Sequence, residues 1–161
     1  MIDIVSRLFA RGEPALSEAT PRDAAAIAAL HTAPFHRGWS EEEFERLLLD
    51  RAVIAHRATI GGSLKGFILS RLVDNEAEIL SVAVAASWRG RGLARRLLDL
   101  HLRRLAGLGA GAVFLEVGDD NEPALRLYRR AGFRQVGRRE GYYQRPAGEA
   151  GSALVLRRDL A

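Results

Sequence analysis

Glu116 is the one charged residue in the run Ala112-Val113-Phe114-Leu115-Glu116-Val117. In strand alternation it shares a face with Phe114, while Leu115 and Val117 point the other way. A carboxylate in such a segment is costly unless something is gained. Two readings fit. It is either an ion-pair partner for one of the chain's many arginines, or a general base whose pKa desolvation lifts from about 4.3 toward neutrality, acting directly or through a water.

Tyr128 falls on the inward stripe of a helical segment with Ala124, Leu127 and Ala131. An inward tyrosine is ordinarily core, but a phenol with an unperturbed pKa near 10 could also protonate a thiolate leaving group of pKa about 8.5. The segment Val82-Ala83-Val84-Ala85-Ala86-Ser87-Trp88-Arg89-Gly90-Arg91-Gly92-Leu93-Ala94 ends an apolar strand, turns on glycines and opens a helix. The first N–H groups of a helix have no partner within it and its dipole favours negative charge there, so such a turn is an anion cradle. Gly90 and Gly92 permit positive φ and a close backbone approach to a ligand. Asn121, before Glu122-Pro123, reads first as a helix N-cap.

The elements that would position these groups follow from pattern. A short strand at 15–19 precedes Thr20-Pro21-Arg22-Asp23, which caps a helix carrying Ala24, Ile27, Ala28 and His31 on one face. Trp39-Ser40-Glu41-Glu42-Glu43-Phe44 combines a capping box, Ser40 with Glu43, and a hydrophobic staple, Trp39 with Phe44. Trp39 could also wall a substrate site. Residues 52–60 and 64–73 form a hairpin on Gly61-Gly62-Ser63, followed by a strand at 79–84. Leu97, Leu98, His101, Leu102 and Leu105 then make an apolar helical stripe, with His101 read as core. A strand at 112–117 and a helix stopped by Gly132 lead to strands at 133–136 and 153–156, around a polar loop at 144–151. The expected fold is an α/β sandwich around a mixed sheet. Residues 1–12, with Val5, Leu8 and Phe9 at helical spacing, read as an N-terminal extension to a single domain spanning 1–161.

The chain has 161 residues, 48% of them hydrophobic, enough for one well-buried core. No apolar run approaches the roughly 18 residues that cross a bilayer, and the N-terminus lacks signal-peptide order, so a cytoplasmic protein without membrane association is expected. The absence of cysteine excludes disulfides, a thiol nucleophile and thiolate metal sites. The four histidines lack ligand spacing, so no metal is expected. Net charge is +4, carried by 23 arginines and a single lysine, Lys65. Phosphate, nucleic acid or an acidic substrate would each answer to that charge, as would compositional bias alone.

Taken together, Val82-Ala83-Val84, Arg89-Gly90-Arg91-Gly92-Leu93-Ala94, Leu115-Glu116-Val117, Asn121, Tyr128 and Gly132-Phe133 resemble the acetyl-CoA motifs of the GNAT N-acetyltransferases, over nearly all of residues 15–160. Trp39-Ser40-Glu41, the Glu116/Asn121/Tyr128 spacing and Arg139-Glu140-Gly141-Tyr142-Tyr143 are most similar to the RimI type. That resemblance implies a GNAT-like acyl-CoA N-acyltransferase fold and acetyl-CoA as co-substrate. Val82, Ala83 and Val84 would lie along the donor's pantetheine arm, with Val82 and Val84 offering backbone hydrogen bonds. Arg89, Gly90, Arg91, Gly92, Leu93 and Ala94 would hold its pyrophosphate, and Asn121 would contact it. Glu116 would be the base and Tyr128 the acid in direct attack by the amine, with Trp39, Tyr142 and Tyr143 near the acceptor. The implied acceptor is a protein N-terminus, the N-terminal alanine of a small-subunit ribosomal protein, and a monomer is expected.

An α-amine has pKa near 8 and a lysine near 10.4, so at pH about 7.5 freeing the lysine amine costs about 3 kcal/mol more. That favours an α-amine. A GNAT enzyme acting on lysine or a small amine is the alternative within the family; a basic nucleic-acid-binding module and a non-catalytic acyl-CoA sensor are the alternatives outside it. Nucleic acid is not the expected substrate.

Overall fold

The computed structural model describes residues 12–31, 39–144 and 150–160. The helical spacing expected at Val5, Leu8 and Phe9 lies outside the described residues. Seven strands form one sheet in the order β1-β2-β3-β4-β5-β7-β6. These are β1 (Ala15–Glu18), β2 (Val53–Ile60), β3 (Ser63–Val73), β4 (Glu76–Val84), β5 (Ala112–Gly118), β6 (Arg134–Gln144) and β7 (Ala150–Asp159). Strands β4 and β5 run parallel, while the other neighbouring pairs are antiparallel. The class is the mixed-sheet α/β fold read from the sequence.

Helices cover both faces. On one, α1 (Ala24–Leu30) and α2 (Glu41–Leu49) bury Ile27 and Phe44 against Ala55, Phe67 and Leu69. Both entry signals operate as read: Ser40 Oγ accepts from the Glu43 N–H at 3.2 Å, and Glu43 reaches back to the Ser40 N–H at 2.7 Å. The staple forms too, with the Trp39 and Phe44 rings edge to face at 5.6 Å. On the other face, α3 (Leu93–Gly107) and α4 (Glu122–Arg130) pack their apolar stripes onto Ile68, Ile79, Val113, Leu115 and Val117.

Two irregularities matter for function. The β3–β4 register passes from Ser70↔Ile79 to Leu69↔Ser81, so Leu80 is an extra residue that bulges β4. Parallel pairing of β4 with β5 begins at Glu76↔Ala112 and ends at Ile79↔Leu115, immediately before that bulge. Beyond it the two strands are no longer hydrogen-bonded, and a gap opens in mid-sheet. The second irregularity is in β6, which runs from Arg134 to Gln144 and so continues well past the expected end at 136. Its sequence is too arginine-rich to read as a strand, yet as a sheet edge it needs only one partner. From Arg139↔Ala153 to Tyr143↔Gly151 it takes four steps against two on β7, with Gly141 at φ +60°.

Candidate active site

The N–H of Ala85 donates to the Lys65 carbonyl at 2.8 Å, which aims that residue's polar groups toward β3. Alternate residues of a strand aim theirs to opposite edges, so Val82 and Val84 face the gap that β5 has left. The Val84 carbonyl meets Arg89 Nε at 3.4 Å. Past a 3₁₀ turn, Ala86–Trp88, the chain turns on Gly90 at φ +73° and Gly92 at φ +79° and enters α3. Gly92 is the N-cap and no side chain caps the first turn, leaving backbone donors directed outward. A Cβ at either glycine would meet open space, so the backbone angle is what requires glycine there.

These elements bound a cavity of about 670 Å³. One wall is Val82, Ala83 and Val84; the cradle contributes Arg89, Gly90, Gly92, Leu93 and Ala94; Asn121 and Tyr128 belong to the α4 wall. Of the sequence-read cradle, Arg91 alone is absent from the lining: its guanidinium stacks over the Trp88 ring at 4.6 Å. Trp88 and Arg95 line the cavity as well; Trp88, Arg126 and Arg130 were not read as site residues. The two on α4 were legible in principle, being four residues apart on a helix already assigned to the site. Asn121 Oδ1 accepts from the Ala124 N–H at 3.3 Å, so the N-cap role holds as well.

Tyr128 is buried on the cavity side, edge to face with Phe133 at 5.6 Å. Burial pushes its phenol up to about 12, so the hydroxyl stays protonated at neutral pH and remains a donor. Glu116 is not in that cavity. It projects with Phe114 from the opposite face of β5, as the alternation predicted. It is not sealed in an apolar pocket: its side chain is 20% exposed and Oε1 lies 3.1 Å from Arg139 Nη2. The ion-pair reading is the geometry observed, because β6 carries an arginine to that spot.

The same face holds the remaining acceptor-side candidates. Arg139 also lies over the Tyr142 ring at 5.2 Å. The side chain of Tyr143 lies outside the described ones. Trp39 stacks on His31, with centroids 5.4 Å apart and planes 5° from parallel. His31 Nδ1 in turn bonds Ser81 Oγ at 2.9 Å, next to Val82 on β4. Burial lowers the His31 pKa, which keeps that ring neutral. The cavity and the Glu116/Arg139 pair therefore lie on opposite faces of the sheet.

Residues 22–133 match the acetyltransferase (GNAT) family. The chain belongs to that family. This GNAT acetyltransferase is 37% identical over 125 residues to the N-alpha-acetyltransferase RimI of Mycobacterium tuberculosis, covering 75% of each chain. It is 36% identical over 144 residues to an uncharacterized protein of Mycobacterium leprae; that match takes in 86% of this chain but only 39% of the relative. Identity to the ribosomal protein bS18-alanine N-acetyltransferase of Escherichia coli is 28% over 117 residues, covering 73% of this chain and 78% of that protein. The crystal structure of the E. coli ribosomal-protein-S18-alanine N-acetyltransferase superposes with a TM-score of 0.85 at 24% identity, covering 92% of this chain and 95% of that one. Arabidopsis thaliana NAA60 in complex with acetyl-CoA gives 0.79 at 22% identity, covering 91% and 98%. Both likenesses establish the GNAT fold of this acetyltransferase.

Among the described residues no group of three or more histidines and carboxylates could hold a metal ion, and no helix is long and apolar enough to cross a membrane.

Proposed function

We propose that this GNAT enzyme is of the RimI type and transfers acetyl from acetyl-CoA to a protein N-terminal α-amine, that of an N-terminal alanine on a small-subunit ribosomal protein. The observation that carries this is the β4–β5 gap, with an anion cradle and hydrogen-bonding strand edge on one face and Glu116 on the other. A cavity of about 670 Å³ suits an extended nucleotide thioester. Its uncapped helix start and arginines suit the pyrophosphate. Val82 and Val84 would hold the pantetheine amides as a further strand would. The names of the M. tuberculosis and E. coli relatives support an α-amine acceptor and the ribosomal alanine.

In this mechanism the acceptor approaches from the α1–α2 face, between Trp39 and Tyr142. Glu116 takes the proton as the amine nitrogen attacks the thioester carbonyl carbon through the gap. The C–N bond forms, the tetrahedral adduct collapses with C–S cleavage, and the Tyr128 hydroxyl gives its proton to the departing thiolate. Cysteine is absent from the sequence, so no thiol is available for an acyl-enzyme.

The test is thiol release from acetyl-CoA with peptides beginning Ala-Arg, beside N-terminally blocked peptides that carry a lysine, for the wild type and Glu116→Gln. Turnover confined to the free α-amine, and reduced about 10²-fold or more in the variant with donor binding retained, is expected. Equal turnover on blocked peptides would make the enzyme a lysine acetyltransferase instead.

A further inference from the structure

Four arginines line the cavity, and they are not equivalent. Arg89 donates to the Val84 carbonyl, and Arg95 Nε pairs with Asp99 at 2.9 Å; both belong to the cradle around the start of α3. Arg126 and Arg130 project from α4 on the other wall. Neither guanidinium has an ion pair or hydrogen bond with any described residue, and no carboxylate lines the cavity. They are four residues apart, so the two like charges lie one above the other on a single helix face, an arrangement that destabilises a helix unless an anion sits between them.

The charge of the donor separates the two pairs. Acetyl-CoA carries a pyrophosphate diester and, apart from it, a phosphomonoester on the ribose 3′ position, which bears about −1.5 to −2 at neutral pH. The uncapped first turn of α3 with Arg89 and Arg95 answers to the pyrophosphate. That leaves two unmatched cations and one unmatched dianion at the same cavity.

We propose that Arg126 and Arg130 form a phosphomonoester subsite that reads the ribose 3′-phosphate of the donor, and so makes the enzyme distinguish acetyl-CoA from acetyl-3′-dephospho-CoA. This rests on the reading that the cavity takes acetyl-CoA. Both side chains are fork-shaped donors suited to bidentate contact with phosphate oxygens.

The experiment measures kcat/KM and donor Kd for acetyl-CoA and acetyl-3′-dephospho-CoA, at low and high salt. The proteins are wild type, Arg126→Gln, Arg130→Gln, the double variant and, as a control outside the cavity, Arg129→Gln. Wild type should prefer acetyl-CoA by about tenfold or more at low salt, each cavity variant should lose roughly three- to tenfold on acetyl-CoA alone, and the double variant should treat the donors alike. The Arg129 variant should keep the full preference. Equal use of the two donors by wild type overturns the proposal. So does a double variant weakened equally toward both, which would assign these arginines to the pyrophosphate. Failure of wild type to bind either donor would instead remove the acetyl-CoA reading itself, and the subsite with it.

Discussion

Arg139 reaches from β6 past β7 to place its guanidinium 3.1 Å from the Glu116 carboxylate of β5. The β6 irregularity between Arg139 and Tyr143 accompanies this reach, and the same guanidinium lies over Tyr142. With side chains 55% and 20% exposed, the pair contributes about 0–1 kcal/mol to folding once solvent screening is counted. Its consequence is orientation: it fixes one oxygen of the proposed base and leaves the other for the acceptor. Arg139→Gln should therefore shift Tm by no more than about 3 °C while lowering kcat about tenfold with donor Kd unchanged. Arg139→Lys should recover part of that loss. Calorimetry and steady-state kinetics check both, and an unchanged kcat in Arg139→Gln would remove the orienting role.

Tyr128→Phe deletes only an oxygen that has no hydrogen-bond partner among the described residues. Burying an unpaired hydroxyl is unfavourable, so the variant should be as stable as the parent or more so. Its kcat should still fall about 10²-fold, since the thiolate then leaves without a proton donor. The phenol's value of about 12 exceeds the unfolded value near 10, so between those limits the folded state holds a proton that the unfolded chain releases. Stability is complete below pH about 10 and declines as pH rises toward 12. Alkaline denaturation of the two proteins should show that component in the wild type alone. Identical curves together with unchanged kcat would return Tyr128 to a plain core residue.

The helix openers, the glycine turn and the alternation around Glu116 were legible because each is set within a few residues of chain. Ser40 with Glu43, Trp39 with Phe44, and the inward stripe of α3 are local patterns that survive in the fold. The sequence could not show what depends on distant pairing. Glu116 meets Arg139 only because β7 inserts between β5 and β6, and the strand that carries Arg139 is masked by its own charge. Arg91 was indistinguishable from Arg89 by position, yet a short 3₁₀ turn puts Trp88 under Arg91 and leaves Arg89 facing the cavity. The Leu80 bulge, which opens the gap, leaves no glycine or turn signal in Ile79-Leu80-Ser81-Val82.

Gly90 and Gly92 separate conformational from steric demands. With φ of +73° and +79° and open space around a built Cβ, alanine would suffer backbone strain without a clash. That strain is worth about 1–2 kcal/mol for a left-handed residue, which for a chain of this size is roughly 2–8 °C in Tm. Gly92→Ala should also raise the acetyl-CoA KM about tenfold, because relaxing φ re-aims the first donors of α3. Arg89→Gln should raise KM without the stability loss. A Gly92→Ala protein with parental Tm and KM would show that the turn tolerates another conformation.

A second polar feature lies in the core. Ser70, His101 and His56, from β3, α3 and β2, form a buried chain, with Ser70 Oγ 2.6 Å from His101 Nε2 and the two Nδ1 atoms 2.7 Å apart. One Nδ1 carries the proton and the other accepts, so the chain is satisfied when both rings are neutral. A second proton would put an uncompensated cation beneath α3. Burial, with the neighbouring His56, brings His101 down to about 3, and burial lowers His56 as well, against Glu18 and alongside Arg104. The unfolded chain takes up protons below pH about 6.5 while the folded one refuses them, so stability is complete above that pH and lost as pH falls toward 3. Between pH 7.5 and 5 the His101 share is about 2 kcal/mol. Urea midpoints should fall over that interval in the wild type. His101→Gln, though weaker at pH 7.5, should show a shallower decline, and parallel declines would mean that the acid sensitivity arises elsewhere.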